Sequence, residues 1–245
     1  MFKPSGLLID LDGTLIDSDD RVSPVVATAV KRASTKIPVA VASGREPDEV
    51  SHFARMLGLK GPQVCDNGAR LIDPLTGRSL YQSPMPEHVS RRLIDSICAA
   101  GLTFYAVENG RMVKTKAGFR EWVVTIIAAN AGDEGTARST LGKLASDETT
   151  SELSTNPDGT FWYTNFVRAG IDKAHGVRQY ANILGLDPRD LMAVGDGLND
   201  VSMFSQVGLS VAMGNAPDEV KRHARFVVGR LADDGVAEAV ERFVF

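Results

Sequence analysis

The chain has 245 residues, of which 43% are hydrophobic and 24% charged, and its formal net charge is −4. No apolar run reaches the roughly 18 residues that a membrane span needs, and lysine and arginine are scattered, so we expect neither a membrane nor nucleic acid as a partner. The residues after Met1 lead into a strand without an apolar signal region, which predicts a cytoplasmic protein. We further expect a monomer or homodimer.

Strand and helix patterns alternate from the beginning of the chain, as in a parallel α/β sheet. The elements predicted first are a strand over 6–10, a helix over 23–34, a strand over 37–42, a helix over 47–57, a strand over 63–65 and a hairpin strand over 69–72. Cys65 and Cys98 both lie in apolar contexts, so we expect inert core cysteines and no disulfide or metal site.

The pattern changes near residue 83, where strands occur in pairs and helices no longer alternate with them. The elements predicted here are a helix over 87–100, strands over 103–108 and 111–115, a polar helix-prone stretch through 143, and strands over 149–155 and 160–168. The last two flank the turn Asn156-Pro157-Asp158-Gly159. This α+β pattern predicts an inserted domain over 83–165, carried by a discontinuous core domain over 1–82 and 166–245.

The first pattern returns after the insert. The elements predicted there are helices over 173–184, 199–205, 217–223 and 235–243, with strands over 191–194, 209–213 and 226–228. The core is therefore built from both ends of the sequence.

Polar residues follow the predicted core strands where each strand ends. Asp10 and Asp12 come directly after Leu7-Leu8-Ile9, and Asp196 and Asp200 bracket a glycine-rich turn after 191–194. The carboxyl ends of parallel strands meet at one sheet edge, and two buried charges there need a cation. Carboxylates without a His or Cys cluster suit a hard ion such as Mg²⁺. A lone Asp-Gly turn commonly only caps a helix, but two such acidic clusters favour a metal site.

Groups that suit an anion accompany these acids. Ser43 offers a hydroxyl, and Gly44 and Arg45 offer backbone N–H groups at a predicted helix start. Arg45 could equally contact substrate or pair with an acid. Lys173 supplies a single cation, which in isolation is more typical of a solvated surface residue.

These clusters, in this order, resemble the four motifs of the haloacid dehalogenase-like superfamily. Asp-Leu-Asp-Gly-Thr-Leu at 10–15 is similar to the first motif, Ser43 to the second, Lys173 to the third and Gly-Asp-Gly-Leu-Asn-Asp at 195–200 to the fourth. Together with Val-Ala-Met-Gly-Asn-Ala at 211–216, they resemble the Cof-type, subclass IIB phosphatases. The resemblance implies a Rossmann-like, doubly wound parallel core with an inserted α+β cap domain between the second and third motifs.

The resemblance also implies roles for individual residues. Asp10 would be the nucleophile that forms an aspartyl-phosphate, and Asp12 would act as general acid and base. Mg²⁺ would be held by Asp10, the backbone carbonyl of Asp12 and Asp196, with support from Asp200. The residues implied to bind phosphate or substrate are Ser43, Gly44, Arg45, Lys173 and Asn199.

The predicted function is hydrolysis of a small phosphorylated metabolite, of sugar phosphate or phosphoglycolate type. The cap would select the substrate, but most of its polar and aromatic residues, such as Glu108, Arg111, Trp162, Tyr163 and Asn165, are expected to be structural or solvated. Its short length argues against transferring the specificity of larger-capped sugar phosphatases.

Three alternatives stay open or are weakened by the sequence. A phosphomutase of the same superfamily would use the same aspartyl-phosphate. A dinucleotide-binding protein is disfavoured, because Asp200 stands where the third glycine of that fingerprint belongs. A non-catalytic nucleotide- or phosphate-binding protein is disfavoured by the complete set of chemical groups.

Overall fold

The computed structural model describes residues 3–156 and 159–245. The strands are β1 (Gly6–Ile9), β2 (Val39–Val41), β3 (Gln63–Cys65), β4 (Arg70–Ile72), β5 (Ser79–Gln82), β6 (Thr103–Glu108), β7 (Arg111–Val113), β8 (Val124–Gly132), β9 (Thr149–Thr155), β10 (Trp162–Arg168), β11 (Leu191–Gly195), β12 (Leu209–Ala212) and β13 (Phe226–Val227). The helices are α1 (Pro24–Ser34), α2 (Pro47–Met56), α3 (Glu87–Ala99), α4 (Glu134–Leu144), α5 (Lys173–Leu184), α6 (Asp200–Gln206), α7 (Asp218–His223) and α8 (Gly235–Phe243).

A parallel sheet in the order β13-β12-β11-β1-β2 forms the centre of the molecule. Its strands are apolar on both faces, as a parallel sheet covered by helices requires. Leu7 and Ile9 of β1 pack with α1, α2 and α8 on one face, and Leu8 packs with α5, α6 and α7 on the other. This doubly wound α/β core confirms the predicted fold class.

The first and last parts of the chain meet in this sheet. Gly6 of β1 lies opposite Leu191 of β11, and Leu7 lies opposite Val39 of β2 on the other side. A small antiparallel sheet, β3-β4-β5, continues the edge beyond β2 through a bridge between Ala42 and Val64. The predicted hairpin at 69–72 is therefore present, with β5 as its second strand.

The inserted cap region contains an antiparallel sheet in the order β7-β6-β8-β10-β9, with α3 and α4 packed against it. The prediction of a helix-prone stretch through residue 143 is wrong for its first part, because β8 runs through Val124–Gly132 as the central strand. β8 pairs with both β6 and β10, and its β-branched residues Thr125, Ile126 and Ile127 are fully buried. Only the second part of the stretch is helical, beginning where the Asp133 side chain accepts a hydrogen bond from the N–H of Thr136.

The cap ends in the predicted hairpin. β9 and β10 pair from Thr155 opposite Trp162 to Thr149 opposite Arg168. Pro157 and Asp158, the middle of the predicted turn, lie outside the described residues.

A buried polar contact joins the cap to the core. The Asp66 carboxylate accepts hydrogen bonds from Arg70 Nε at 3.1 Å and from the hydroxyl of Thr125 in β8 at 2.7 Å. All three residues are at most 1% exposed, and Asp66 adopts a left-handed φ of 52°. The turn that leaves β3 is thus tied to the centre of the cap sheet.

Two further expectations concern the surface. Cys65 is buried as expected, but Cys98 is exposed, because it lies on the outward face of α3, and the expectation of a core position for it is wrong. Within 3–156 and 159–245, no helix combines the length and the apolar character that crossing a bilayer would require.

Candidate active site

The carboxyl ends of two adjacent central strands bring the acidic clusters together. Asp10 follows β1 and Asp196 follows β11, and the N–H of Asp10 donates to the carbonyl of Val194 at 2.9 Å. From β1 the chain crosses to β2 on one side, while the later strands extend from β11 on the other. Open α/β sheets bind ligands at such a switch point.

Lys173 lies at the bottom of this cluster and is completely buried. Its Nζ is 2.6 Å from Asp10 Oδ1 and 2.6 Å from Asp200 Oδ1. Burial alone would lower the pKa of Lys173, but the two carboxylates outweigh it and raise that pKa above its ordinary value. Lys173 is therefore a permanently charged ammonium rather than the solvated surface residue that its isolated context suggested.

Asp10 and Asp200 differ in whether one of their carboxylate oxygens is left without a hydrogen bond. Asp200 Oδ2 accepts from the backbone N–H groups of Asp196 and Gly197 at 3.0 and 2.9 Å, so both its oxygens are engaged. Asp10 Oδ2 has no hydrogen bond from any residue that the structure describes. Burial, followed by the charge of Asp200, raises the pKa of Asp10 well above its ordinary value, against the lowering effect of Lys173.

Thr14 and Asn215 hold Asp196 in place, and neither contact is evident from the sequence. The Thr14 hydroxyl donates to Asp196 Oδ1 at 2.9 Å, and Asn215 Nδ2 donates to Asp196 Oδ2 at 3.0 Å and to the carbonyl of Gly13 at 2.9 Å. Gly13 has a φ of 76°, and a Cβ there would lie 2.4 Å from Asp196 Oδ2. Asn215 belongs to the motif at 211–216, which was the available signal for its role.

Asp10, Asp196 and Asp200 form a group that could hold a divalent metal ion. One carboxylate oxygen from each lies within 4.8 Å of the others. Burial, and then the charge of Asp200, raises the pKa of Asp196 to about 7. An all-oxygen, partly buried set of this kind suits a hard cation.

Asp12 lies beside this group and is paired with Arg45. Arg45 Nε is 3.1 Å from both Asp12 oxygens, and its Nη2 is 2.7 Å from Asp12 Oδ1. The same guanidinium also contacts Asp20 at 2.6 Å and Glu49 at 3.4 Å. Arg45 therefore forms an ion pair with an acid, which is one of the two roles that the sequence leaves open for it.

The loop after β2 places the predicted anion-binding groups nearby. Ser43 is 1% exposed, and its hydroxyl oxygen accepts from the N–H of Arg45 at 3.1 Å, so that N–H is not free for an anion. The N–H of Gly44 makes no hydrogen bond within the described part of the chain. Asn199 Nδ2 reaches Asn67 Oδ1 at 3.4 Å, which links the glycine-rich turn to the turn after β3.

A cavity of about 520 Å³ lies between these residues and the cap. Its core side includes Asp10, Asp12, Ser43, Gly44, Arg45, Asp196 and Asn199. Its cap side includes Tyr105, Met112, Leu153, Trp162, Tyr163 and Asn165. Among the cap candidates, Glu108 instead fixes a loop by accepting from the backbone N–H groups of residues 120–122.

A second cap carboxylate, Glu152, lies across from Asn165 between β9 and β10. Its Oε2 is buried without a hydrogen-bond partner among the described residues. Burial raises the pKa of Glu152 from 4.5 to about 7, against the lowering effect of Lys173. The folded protein therefore binds more protons than the unfolded chain between pH 4.5 and 7.

We expect Glu152→Gln to remove this pH dependence. Stability of the natural chain should fall as pH rises from 4.5 to 7, so the variant should be more stable by about 2 kcal/mol at pH 8 and differ little at pH 4.5. Urea unfolding at a series of pH values measures this difference. Glu219→Gln is the matched control on an exposed residue, and equal pH slopes for the natural chain and Glu152→Gln would contradict the prediction.

The amino-acid sequence is similar to those of known hydrolases and phosphatases. A family model described as haloacid dehalogenase-like hydrolase matches residues 7–157 and 120–240. The 5-amino-6-(5-phospho-D-ribitylamino)uracil phosphatase YcsE of Bacillus subtilis is 29% identical over 97% of this chain and 95% of its own length. A phosphoglycolate phosphatase of Methanosarcina acetivorans is 24% identical over 98% of this chain and 96% of its own.

Solved structures agree on the fold. The crystal structure of a haloacid dehalogenase-like hydrolase from Bacteroides thetaiotaomicron superposes with a TM-score of 0.82 at 24% identity, covering 98% of this chain and 99% of the other. The parallel core and the inserted cap region are therefore shared with that structure.

Proposed function

Because the chain belongs to the haloacid dehalogenase-like hydrolases, among their Cof-type phosphatases, we propose that it hydrolyses a small phosphorylated metabolite in a Mg²⁺-dependent reaction with an aspartyl-phosphate intermediate. The observation that carries this proposal is the position of Asp10. One of its oxygens is fixed by Lys173, and the other has no hydrogen-bond partner among the described residues. A nucleophile needs such a free, oriented oxygen.

In the first step, a carboxylate oxygen of Asp10 attacks phosphorus while the bond from phosphorus to the leaving oxygen breaks. Asp12 donates its proton to that oxygen, and the product leaves as an alcohol. In the second step, the Asp12 carboxylate takes a proton from water, whose oxygen attacks phosphorus. Inorganic phosphate leaves, and the Asp10 carboxylate is regenerated.

The ion pair with Arg45 orients Asp12 for the second step, in which the Asp12 carboxylate accepts a proton from water. Donation of a proton in the first step requires that this pair loosen when substrate binds. Arg45 therefore has a place in the proposal as the residue that positions Asp12, and contact of Arg45 with substrate stays a prediction.

Several groups would bind the transferred phosphoryl oxygens. The Lys173 ammonium has three protons, of which Asp10 and Asp200 take two. We assign the phosphoryl oxygens to Lys173, the Ser43 hydroxyl, the free N–H of Gly44 and the amide of Asn199. Positive and N–H groups aimed at the phosphoryl oxygens stabilise charge in the transition state.

Asp10, Asp196 and the carbonyl of Asp12 would hold Mg²⁺, with Asp200 behind them. When bound, the ion would neutralise phosphoryl and carboxylate charge. The protein's own part is to hold these acids close together before substrate arrives, through Thr14 and Asn215 on Asp196.

We expect removal of divalent metal to abolish activity and to lower stability. Chelation with EDTA leaves the repulsion among Asp10, Asp196 and Asp200 unbalanced, so the melting temperature should drop. Turnover should fall by at least about 100-fold, because the ion that neutralises phosphoryl charge is lost. Phosphate release and thermal melting are measured before chelation, after it and after Mg²⁺ is restored. EDTA already saturated with Mg²⁺ is the control, and full activity in free EDTA would contradict the metal assignment.

The test of the proposal is phosphate release from p-nitrophenyl phosphate and from a panel of phosphorylated metabolites by the purified chain. Inorganic phosphate should appear at the rate at which substrate disappears. Substrate consumed without phosphate release would instead identify a phosphomutase. We also propose that residues 83–165 act as a cap domain on a core of 1–82 and 166–245, which excludes water from the site on closing.

A further inference from the structure

The cavity is acidic beyond the phosphoryl site. Apart from Asp10 and Asp196, the charged residues that line it are Asp12, Asp20, Glu46, Glu49 and Arg45. Arg45 already contacts Asp12, Asp20 and Glu49. The part of the cavity that would receive the leaving group therefore carries an excess of negative charge and no unpaired cation among the described residues.

Glu46 is the acid in this set that has no partner. It precedes α2, is half-buried, and its carboxylate makes no hydrogen bond or ion pair within the described residues. Burial first, and then Asp48 and Glu49, raise the pKa of Glu46 to about 7. Lys114 lowers the pKa of both Glu46 and Glu49, but it is exposed and lies outside the cavity lining.

The opposite wall is formed by cap side chains that carry no charge at neutral pH. Tyr105 and Tyr163 pack edge to face with their ring centroids 6.1 Å apart, and Trp162 lies next to Tyr163 in β10. Burial raises the pKa of both tyrosines, so their hydroxyls stay protonated. This wall offers apolar ring surface and hydroxyl groups but nothing that neutralises an anion.

From this arrangement we infer that the natural substrate has an uncharged or cationic leaving group with hydroxyl or ammonium donors, which Glu46 recognises, and that carboxylated leaving groups are rejected. The inference rests on the proposed function and narrows its substrate class. A carboxylate placed here would meet Glu46 and Glu49 in a partly desolvated cavity, where like charges repel strongly. A hydroxyl or ammonium group would instead complete the hydrogen bonding of Glu46. The phosphoglycolate type is thereby disfavoured, and the sugar phosphate type is favoured.

Two substrate pairs that differ in one charge test this inference. Glycerol 3-phosphate is compared with 3-phosphoglycerate, and glucose 6-phosphate with 6-phosphogluconate. Each compound is assayed as a substrate and as a competitive inhibitor of p-nitrophenyl phosphate hydrolysis. In at least one pair, we expect the compound whose leaving group has no carboxylate to be favoured at least about 30-fold in kcat/KM or in inhibition constant.

Variants of Glu46 test which residue is responsible. Glu46→Gln should reduce the preference about 10-fold, and Glu46→Lys should abolish or reverse it. The leaving group of p-nitrophenyl phosphate has neither a hydroxyl nor an ammonium donor, so each variant's rate with this compound is the reference against which its metabolite preference is expressed. Glu219→Gln is the matched control, because it makes the same substitution at an exposed position on α7 outside the cavity. It should leave the preference unchanged.

The outcomes separate the two proposals. If p-nitrophenyl phosphate and every metabolite tested are inert, the proposed function fails and the inference falls with it. If p-nitrophenyl phosphate is hydrolysed, three results overturn the inference alone. The first is that the carboxylated compounds are accepted as well as their uncharged counterparts, and the second is that none of the four compounds binds. The third is a preference that Glu46→Gln and Glu46→Lys leave unchanged.

Discussion

Replacing Asp10 with asparagine is expected to lower turnover by at least about 10⁴-fold while the fold is retained. The amide has nearly the size of the carboxylate but has no anionic oxygen to attack phosphorus. The core should tolerate the change, because burial and the charge of Asp200 already disfavour an ionised Asp10. Lys173 keeps its second carboxylate partner, Asp200, at 2.6 Å.

Phosphate release from p-nitrophenyl phosphate measures the loss, and a thermal melt verifies the fold. Acid quenching of the natural chain during turnover, followed by mass spectrometry of its peptides, should find a phosphoryl group on the peptide that contains Asp10. Asp218→Asn is the control for the same chemical change, at a side chain that is 90% exposed. Activity above about 1% in a folded Asp10→Asn protein would exclude Asp10 as the nucleophile.

Replacing Lys173 with methionine should damage both stability and activity. The fully buried ammonium balances Asp10 and Asp200, and its removal leaves two buried carboxylates side by side. Breaking a buried ion pair by deleting one partner costs about 3 to 5 kcal/mol. We also expect turnover to fall by at least about 10³-fold, because a positive group is lost from the phosphoryl site.

Urea unfolding in the presence of a chelator isolates the effect on the protein itself. The double variant Lys173→Met with Asp200→Asn should regain part of the lost stability, since one of the two repelling charges is gone, but it should regain no activity. A Lys173→Met protein with unchanged unfolding free energy would mean that the ammonium does not stabilise these acids.

Sequence alone predicted the acids at the strand ends, and there is a physical reason for that success. A short apolar strand followed by a carboxylate has few explanations in a buried parallel sheet other than a ligand site, and Asp10 and Asp196 both follow that pattern. The partners that hold them were less accessible. Asn215 is remote in sequence and makes its contacts through a loop, so no local pattern assigns it to Asp196.

Arg45 shows a different limit. Its position after Ser43 is compatible with substrate binding and with an ion pair, and only the neighbouring positions of Asp12, Asp20 and Glu49 distinguish these. Charge alone does not tell which group satisfies a guanidinium. The same limit applies to Glu46, because only the folded structure shows that its carboxylate pairs with no cation within 3–156 and 159–245.

In the cap, the stretch that is predicted as helix-prone through residue 143 contains strand β8 followed by helix α4. The run Val124-Thr125-Ile126-Ile127 is β-branched throughout, which is a strand signal, and helix α4 begins only at Glu134. The apolar neighbours of Cys98 favour a core position, but the face of α3 on which Cys98 lies points outward.

The pairing of β1 with β11 has a consequence for how the chain reaches its native state. The hydrogen bond between Ser5 and Asp190 beside these strands spans a separation of 185 residues, and the cap lies within it. Contacts of such high sequence separation form slowly and late. A ribosome that has made only β1, β2 and the cap has made Asp10 without Lys173, Asp196 or Asp200. Catalytic competence should therefore emerge late in synthesis, after all residues of the cap region have been made.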